Sequence, residues 1–203
     1  MEYSVMCAGR SVPLTYERLT EGWLDAAADL CDRCVGKNLY PRDALASVLD
    51  DPAHFFYLLT TPEREVAGYI YFSLTDLDTM AALCKLPVER MAEISPKASP
   101  VVGNLRSIGV AERFRDCHLS TELLRFALDY LRTKTAADVG VGICWKAGGV
   151  VPVEKTVKRL GFRFLSDAHR VWYDNDALVC PYCVGRCRCD AAIYYIPLKE
   201  TGT

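Results

Sequence analysis

The sequence predicts a mixed α/β fold, and three observations carry that prediction. Runs of β-branched and aromatic residues alternate with stretches whose apolar residues recur every three or four positions. Two of the runs, 55–60 and 66–74, are separated by Thr61-Pro-Glu-Arg-Glu65, a turn composition, and read as a hairpin. A third, Val101–Val110, passes through a short polar loop into a strongly amphipathic helix, an order that aims a helix N-terminus at whatever lies beyond the strand end.

Taken in order, residues 13–19 form a first strand closed by Thr20, whose hydroxyl is expected to cap the following helix. Trp23, Ala27, Leu30, Cys31 and Cys34 make one apolar face of that helix. Pro41 suits the first turn of a second helix with Ala44, Leu45, Val48 and Leu49 inward. The hairpin comes next. Residues 76–100 carry Met80, Leu83, Cys84 and Met91 at helical spacing and form a helical insertion. Beyond Val110, residues Leu123, Leu124, Ala127, Leu128 and Leu131 mark the amphipathic helix. A strand follows at 139–145, then a short helix opened by Pro152 and ended by Gly161 at its C-cap. Residues 162–173 and 191–198 are the last two strands, giving the order βααββ(α)βαβαββ.

At 203 residues, 51% hydrophobic and 25% charged, the chain can close a core as one compact unit. Its 24 basic and 26 acidic side chains are interspersed without a basic run, which argues against nucleic acid as a partner. No stretch approaches the roughly 20 apolar residues of a membrane span. Met1-Glu-Tyr-Ser carries an acid where a signal peptide has a basic region, so a cytoplasmic location is expected. Ten cysteines are an excess. Six are scattered, at 7, 31, 34, 84, 117 and 144, and in a cytosolic chain read as small buried hydrophobes.

The element order, together with Val66-Ala-Gly-Tyr-Ile70, Lys158-Arg-Leu-Gly-Phe162 and the stretch from Ile108-Gly-Val110 to Ser120, resembles the GNAT superfamily of acyl-CoA-dependent N-acyltransferases. The likeness spans about residues 13–173. It implies a mostly antiparallel sheet flanked by helices, with an acyltransferase domain at 1–173 and a cysteine-rich connection plus last strand of the same domain at 174–203. It also implies transfer of an acetyl group from acetyl-CoA to a primary amine of a small molecule, peptide or protein. A second copy of the chain, in a homodimer, is a possible partner. The alternative is a non-catalytic GNAT-like scaffold that binds or senses through its cysteine tail.

In the family the strand ends in Val-x-Pro-x-x-Arg and continues as Gly-x-Gly-x-Gly/Ala, and the helix N-terminus holds the cofactor pyrophosphate. The resemblance therefore assigns the acetyl-CoA site to Ile108, Gly109, Val110, Arg115, Asp116, Cys117, His118, Leu119, Ser120 and Thr121. Val110, Arg115 and the small Ser120 match. Glu112 replaces the Pro, and Asp116 and His118 replace the first two Gly residues. A carboxylate pointing inward at Asp116 would repel pyrophosphate. Taken alone, these are also ordinary polar residues of a strand-to-helix loop.

The family's usual general acid, a Tyr in Tyr-x-x-x-Gly-Phe, falls on Val157, and the usual Glu base falls near Ser107, a poor base at neutral pH. Tyr71, Tyr173, Asp76 and Asp78 are conceivable substitutes, each as readable as a strand-face or turn residue, so the catalytic group stays unassigned. Acceptor selection is expected from the 76–100 insertion and the first helices.

Cys180-Pro-Tyr-Cys183-Val-Gly-Arg-Cys187-Arg-Cys189 supplies four thiolates, the number for a closed tetrahedral zinc site. Cys-x-x-Cys brings one pair together, residues two apart on extended chain share a face, and Gly185 allows the fold-over. A redox pair, an iron–sulfur cluster and free thiols remain open on the same residues. Bound zinc is expected to pin the last strand against the sheet.

Overall fold

The computed structural model describes residues 2–7 and 9–199. Eight strands form one sheet: β1 (Glu2–Cys7), β2 (Arg10–Arg18), β3 (His54–Thr60), β4 (Val66–Thr75), β5 (Val102–Val110), β6 (Val139–Lys146), β7 (Arg163–Ala168) and β8 (Asp190–Pro197). Their spatial order is β1-β2-β3-β4-β5-β6-β8-β7. Every neighbouring pair is antiparallel except β5 and β6.

The hairpin between β3 and β4 closes as its composition predicts. Arg64 turns the chain at φ 63°, and Thr61 N–H donates to the Glu65 carbonyl at 2.9 Å. The strand β1 escapes sequence reading because Met1–Cys7 has no clean alternation. β8 inserts between β6 and β7, with eight residue pairs to β6 alone, so the sheet itself holds this strand and no zinc is needed to pin it.

Six helices cover the sheet: α1 (Leu24–Val35), α2 (Arg42–Ala46), α3 (Leu77–Cys84), α4 (Val88–Ala92), α5 (Leu119–Lys134) and α6 (Glu154–Arg159). Thr20 precedes a single 3-10 turn, Glu21–Trp23, and its side chain makes no capping bond, so α1 starts one turn later than expected. Leu24, Ala27, Leu30 and Cys31 of α1 pack on Tyr69, Tyr71, Phe56 and Leu58 of one sheet face. The α5 residues Leu123, Leu124, Ala127, Leu128 and Leu131 pack with Ile70, Phe72 and Leu105 on the other. Leu77, Met80 and Met91 of the insertion cover β6 and β8 on the α1 side. At Pro152 the helix begins two residues later than the proline, but Gly161 ends it at φ 86° and Phe162 N–H returns to the Val157 carbonyl at 3.1 Å.

The scattered cysteines divide. Cys31, Cys84 and Cys144 are buried thiols, as expected, whereas Cys7 and Cys117 form a disulfide that ties β1 to the loop before α5. Sequence separation hid this pair, because the two cysteines lie 110 residues apart.

Candidate functional site

The parallel pairing of β5 and β6 runs from Val102↔Val139 to Leu105↔Gly142 and stops there, although both strands continue. A cavity of about 390 Å³ occupies the wedge. Its walls are Arg106–Val110 of β5, Gly142–Trp145 of β6, Arg115 and Ser120 at the start of α5, and Val157 and Phe162 around α6. Cys34, Leu39 and Tyr40 close it on the α1 side together with Trp172, Pro181 and Tyr182.

A bulge shapes this wedge. In the β4–β5 ladder Tyr71 pairs with Ser107 and Phe72 with Leu105, leaving Arg106 without a partner. The extra residue turns the Arg106 side chain to the α1 face, where its guanidinium carbon lies 5.0 Å from the Tyr71 ring centre. Tyr40 donates to the Arg106 carbonyl at 3.1 Å. Tyr69 and Ser107 share a hydroxyl hydrogen bond of 2.7 Å, so the residue in the family's base position is already engaged. Burial pushes the Tyr40, Tyr69 and Tyr71 hydroxyls up, and it lowers His54, helped by the Arg106 charge. The Cys144 thiol, on the opposite wall, is raised by burial to about 12 and is protonated at neutral pH.

Of the residues assigned to the cofactor loop, Ile108, Gly109, Val110, Arg115 and Ser120 line the cavity. Asp116, Cys117, His118, Leu119 and Thr121 do not. Cys117, Leu119 and Thr121 are buried beneath the loop, while Asp116 and His118 are exposed. Asp116 and His118, which the resemblance sets in Gly positions, adopt φ of 61° and 60°, the left-handed region that favours glycine. Between them in sequence, Cys117 is buried and bonded to Cys7. His118 is the N-cap of α5; the Thr121 and Glu122 N–H groups donate to its carbonyl at 3.0 and 3.3 Å, and the Leu119 and Ser120 N–H groups ahead of them have no carbonyl acceptor in the helix. Gly109 is required by close approach: a Cβ there would stand 2.3 Å from the Tyr69 ring and 2.9 Å from Cys34 Sγ.

Val157 lies on the cavity wall with 4% exposure and offers no proton. Tyr71, Tyr173, Asp76 and Asp78 are absent from the wall, and Asp76 instead caps α3 by accepting from Thr79 N–H at 2.7 Å. The insertion lines a separate hollow around Leu74–Asp78 and Ala98–Val101, so it borders the main cavity less than the cysteine tail does. Arg106, Tyr40, Trp145, Trp172 and Tyr182 are the wall residues that sequence reading missed. Arg106 alone left a signal, as the single charge in an otherwise uncharged strand.

The four tail sulfurs converge to within 4.8 Å of one another. Cys180 and Cys183 Sγ stand 3.8 and 3.6 Å from Cys189 Sγ, against about 3.8 Å for sulfurs held 2.3 Å from a tetrahedral zinc. Tyr182 and Arg188 N–H groups point at the Cys180 and Cys183 sulfurs, at 3.4 and 3.3 Å. The Arg188 amide is the main reason the Cys183 thiol is lowered, whereas burial raises Cys187 to about 11. Trp145 Nε1 is buried without a hydrogen-bond partner, and its N–H works against the burial that raises the Cys189 thiol. A metal-bound thiolate at Cys189 fits that orphaned donor. Gly36 permits the tail to dock, because a Cβ there would stand 2.8 Å from the Val179 carbonyl.

The sheet parted at one parallel pair and the helices around it give this chain the fold of solved GNAT structures. Arabidopsis thaliana NAA60 in complex with acetyl-CoA superimposes with a TM-score of 0.69 at 10% identity, over 91% of this chain and 98% of that one. The ribosomal-protein-S18-alanine N-acetyltransferase of Escherichia coli gives 0.61 at 16% identity, over 93% and 96%. A mutant spermidine N-acetyltransferase SpeG of Vibrio cholerae gives 0.61 at 14%, over 91% and 94%. No family model matches the sequence, and no curated protein matches it. Among the described residues no helix is long and apolar enough to cross a membrane.

Proposed function

We propose that this protein is an N-acetyltransferase that moves an acetyl group from acetyl-CoA to a primary amine. The observation that carries the reading is the wedge between β5 and β6, which opens toward the N-terminus of α5. The cofactor pyrophosphate sits at that N-terminus beside Arg115, where free amides and the helix dipole favour negative charge. The pantetheine arm then runs along Ile108–Val110, and the thioester reaches the wedge. A neutral amine attacks the carbonyl carbon, the C–S bond breaks, CoA leaves as thiolate, and the amine proton passes to solvent or to that thiolate. With no carboxylate or imidazole on the wall among the described residues, rate comes from positioning. Acetyl-CoA at about 100 times its dissociation constant should stabilise the protein by about 2.7 kcal/mol. The deciding experiment incubates protein, acetyl-CoA and a panel of amines, and follows free thiol and acetylated product. Product with none of them, despite cofactor binding, defeats the enzyme reading.

That same bare wall supports a second reading, a scaffold that binds an acyl-CoA without turning it over. Thermal stabilisation by acetyl-CoA with no thiol release is its signature.

Cys180, Cys183, Cys187 and Cys189 are proposed to hold one structural zinc, on the strength of their sulfur spacing. Zinc would crosslink the 21 residues between β7 and β8. Elemental analysis of protein purified without chelator should return about one zinc per chain; a stoichiometry near zero, with all four thiols titrating freely, rejects the site.

A further inference from the structure

Arg106 stands out among the groups around the cavity. Among the described residues the ionised side chains on its wall are Arg106 and Arg115, with no Asp or Glu beside them there. Arg115 belongs to the mouth beside α5. Arg106 lies on the opposite face of the sheet, over Tyr71 and beside Tyr40. Its Nε is buried without a hydrogen-bond partner, and among the described residues its guanidinium has no ion-pair partner. The acid in that neighbourhood, Asp51, contacts His54 instead, at 3.8 Å. Arg106 as a whole is half-buried, so its outer nitrogens stay open to the cavity, and a cation without a counter-ion at such a wall attracts an anion that enters it.

On the same face the wall is aromatic. Trp145 stacks on Trp172 with ring centres 4.7 Å apart, and Tyr182 meets Trp145 edge-on at 6.2 Å. Such rings offer flat apolar surface for an aromatic or apolar group.

We propose that the acceptor is an amine that also carries a carboxylate and an aromatic or apolar side group, with the carboxylate bound by Arg106 and the side group on the Trp145–Trp172–Tyr182 surface. The assignment rests on the acetyl-transfer reading above. Guanidinium and carboxylate match as a two-pronged hydrogen-bonded pair, and a bulged strand residue fixes the direction of that fork. The positive charge also disfavours a protonated amine nearby, so the amine enters the wedge in its neutral, nucleophilic form. Polyamines, which bring only positive charge, are excluded by the same wall.

The test uses reaction products, whose blocked nitrogen removes differences in amine protonation. N-acetylphenylalanine, its C-terminal amide and N-acetylalanine are titrated calorimetrically into the full-length protein with and without CoA. The carboxylate should bind about 10- to 100-fold tighter than the amide, as expected for a charge-assisted pair. N-acetylalanine should bind more weakly than N-acetylphenylalanine. In Arg106→Gln the two phenylalanine ligands should bind alike, and Arg106→Lys should recover part of the difference. Amide binding as tight as carboxylate in the unaltered protein, a difference that persists in Arg106→Gln, or no binding of either ligand overturns the proposal, and the first and last need no variant to fold. Failure to form product while the carboxylate preference stands would reject only the transferase reading. Acetylation of amines lacking a carboxylate, with no preference, would reject only this one.

Discussion

The Tyr40 hydroxyl donates to the backbone carbonyl of Arg106 at 3.1 Å, so the segment between α1 and α2 is tied to the bulge that opens the sheet. Both residues are half-buried, and burial holds the Tyr40 proton in place well beyond neutral pH. Replacing Tyr40 by Phe leaves the carbonyl without its donor. Tyr40→Phe is expected to cost about 1 kcal/mol, which for a domain of this size is a fall of about 2–4 °C in Tm. Urea unfolding checks it, and an unchanged midpoint would show that water replaces the hydroxyl without loss.

Asp116 and His118 hold left-handed backbone at φ 61° and 60° in the loop that leads into α5. Left-handed conformation costs a non-glycine residue about 1–2 kcal/mol, and glycine removes that cost while adding freedom to the unfolded chain. The two effects nearly cancel in stability. Affinity behaves differently, because with the pyrophosphate bound as proposed at the start of α5, Asp116→Gly also removes a carboxylate from its neighbourhood. The double variant Asp116→Gly/His118→Gly should therefore bind acetyl-CoA about 3- to 10-fold tighter, equivalent to about 1 kcal/mol, at nearly unchanged Tm. Calorimetric affinity equal to or weaker than that of the unaltered protein would place the pyrophosphate elsewhere.

Asp138, at the turn into β6, accepts from Lys97 Nζ at 2.5 Å, from Val101 N–H at 3.0 Å and from Lys199 Nζ at 3.2 Å. Burial raises its pKa, but these three donors together outweigh burial and the net shift is downward. A carboxylate lowered in the folded state contributes stability that is fully present above its unfolded value, about 4, and is lost as pH falls through the folded one. Stability should thus decline below about pH 4, and Asp138→Asn should flatten that limb while lowering stability near neutrality by about 1–3 kcal/mol. Denaturant midpoints at pH 3 to 7 for both proteins test it; parallel curves would mean that Asp138 contributes nothing to the acid limb.

Sequence periodicity located α1, α5 and the hairpin because each buries one face against a single layer, and burial writes itself as a spacing. The wedge left a fainter trace. Its position depends on where β5 and β6 stop pairing, a relation between Leu105 and Gly142 that no local pattern encodes. Val157 and Ser107 were legible as vacancies only through family likeness. Trp145, Trp172 and Tyr182 come from three separate segments and meet only when β8 inserts beside β6. The thiols at 180–189 were legible because all four ligands are local, while Cys7 and Cys117 were not.

The cysteine tail joins β7 to β8 with no regular element of its own, and its buried apolar content is small, consisting of Leu178 with Cys180, Cys187 and Cys189. Ordering a connection of this kind costs about 1–2 kcal/mol per residue, more than so small a cluster returns unaided. Chelation should therefore release the tail from its docking site, where Val179 and Lys37 exchange backbone hydrogen bonds of 2.9 and 3.2 Å. The sheet should survive, because β8 is held between β6 and β7. Hydrogen exchange is expected to lose protection at Val179 and Arg188 and keep it across Ala191–Ile196. Since Trp145 and Trp172 stack at 4.7 Å on the tail side and Trp23 lies under α1, tryptophan emission should change with the metal and return when zinc is restored. Because Pro181 and Tyr182 form part of the cavity wall, the acceptor's KM should rise on chelation while acetyl-CoA affinity holds. Equal loss of both would show that the metal supports the whole fold instead of one wall.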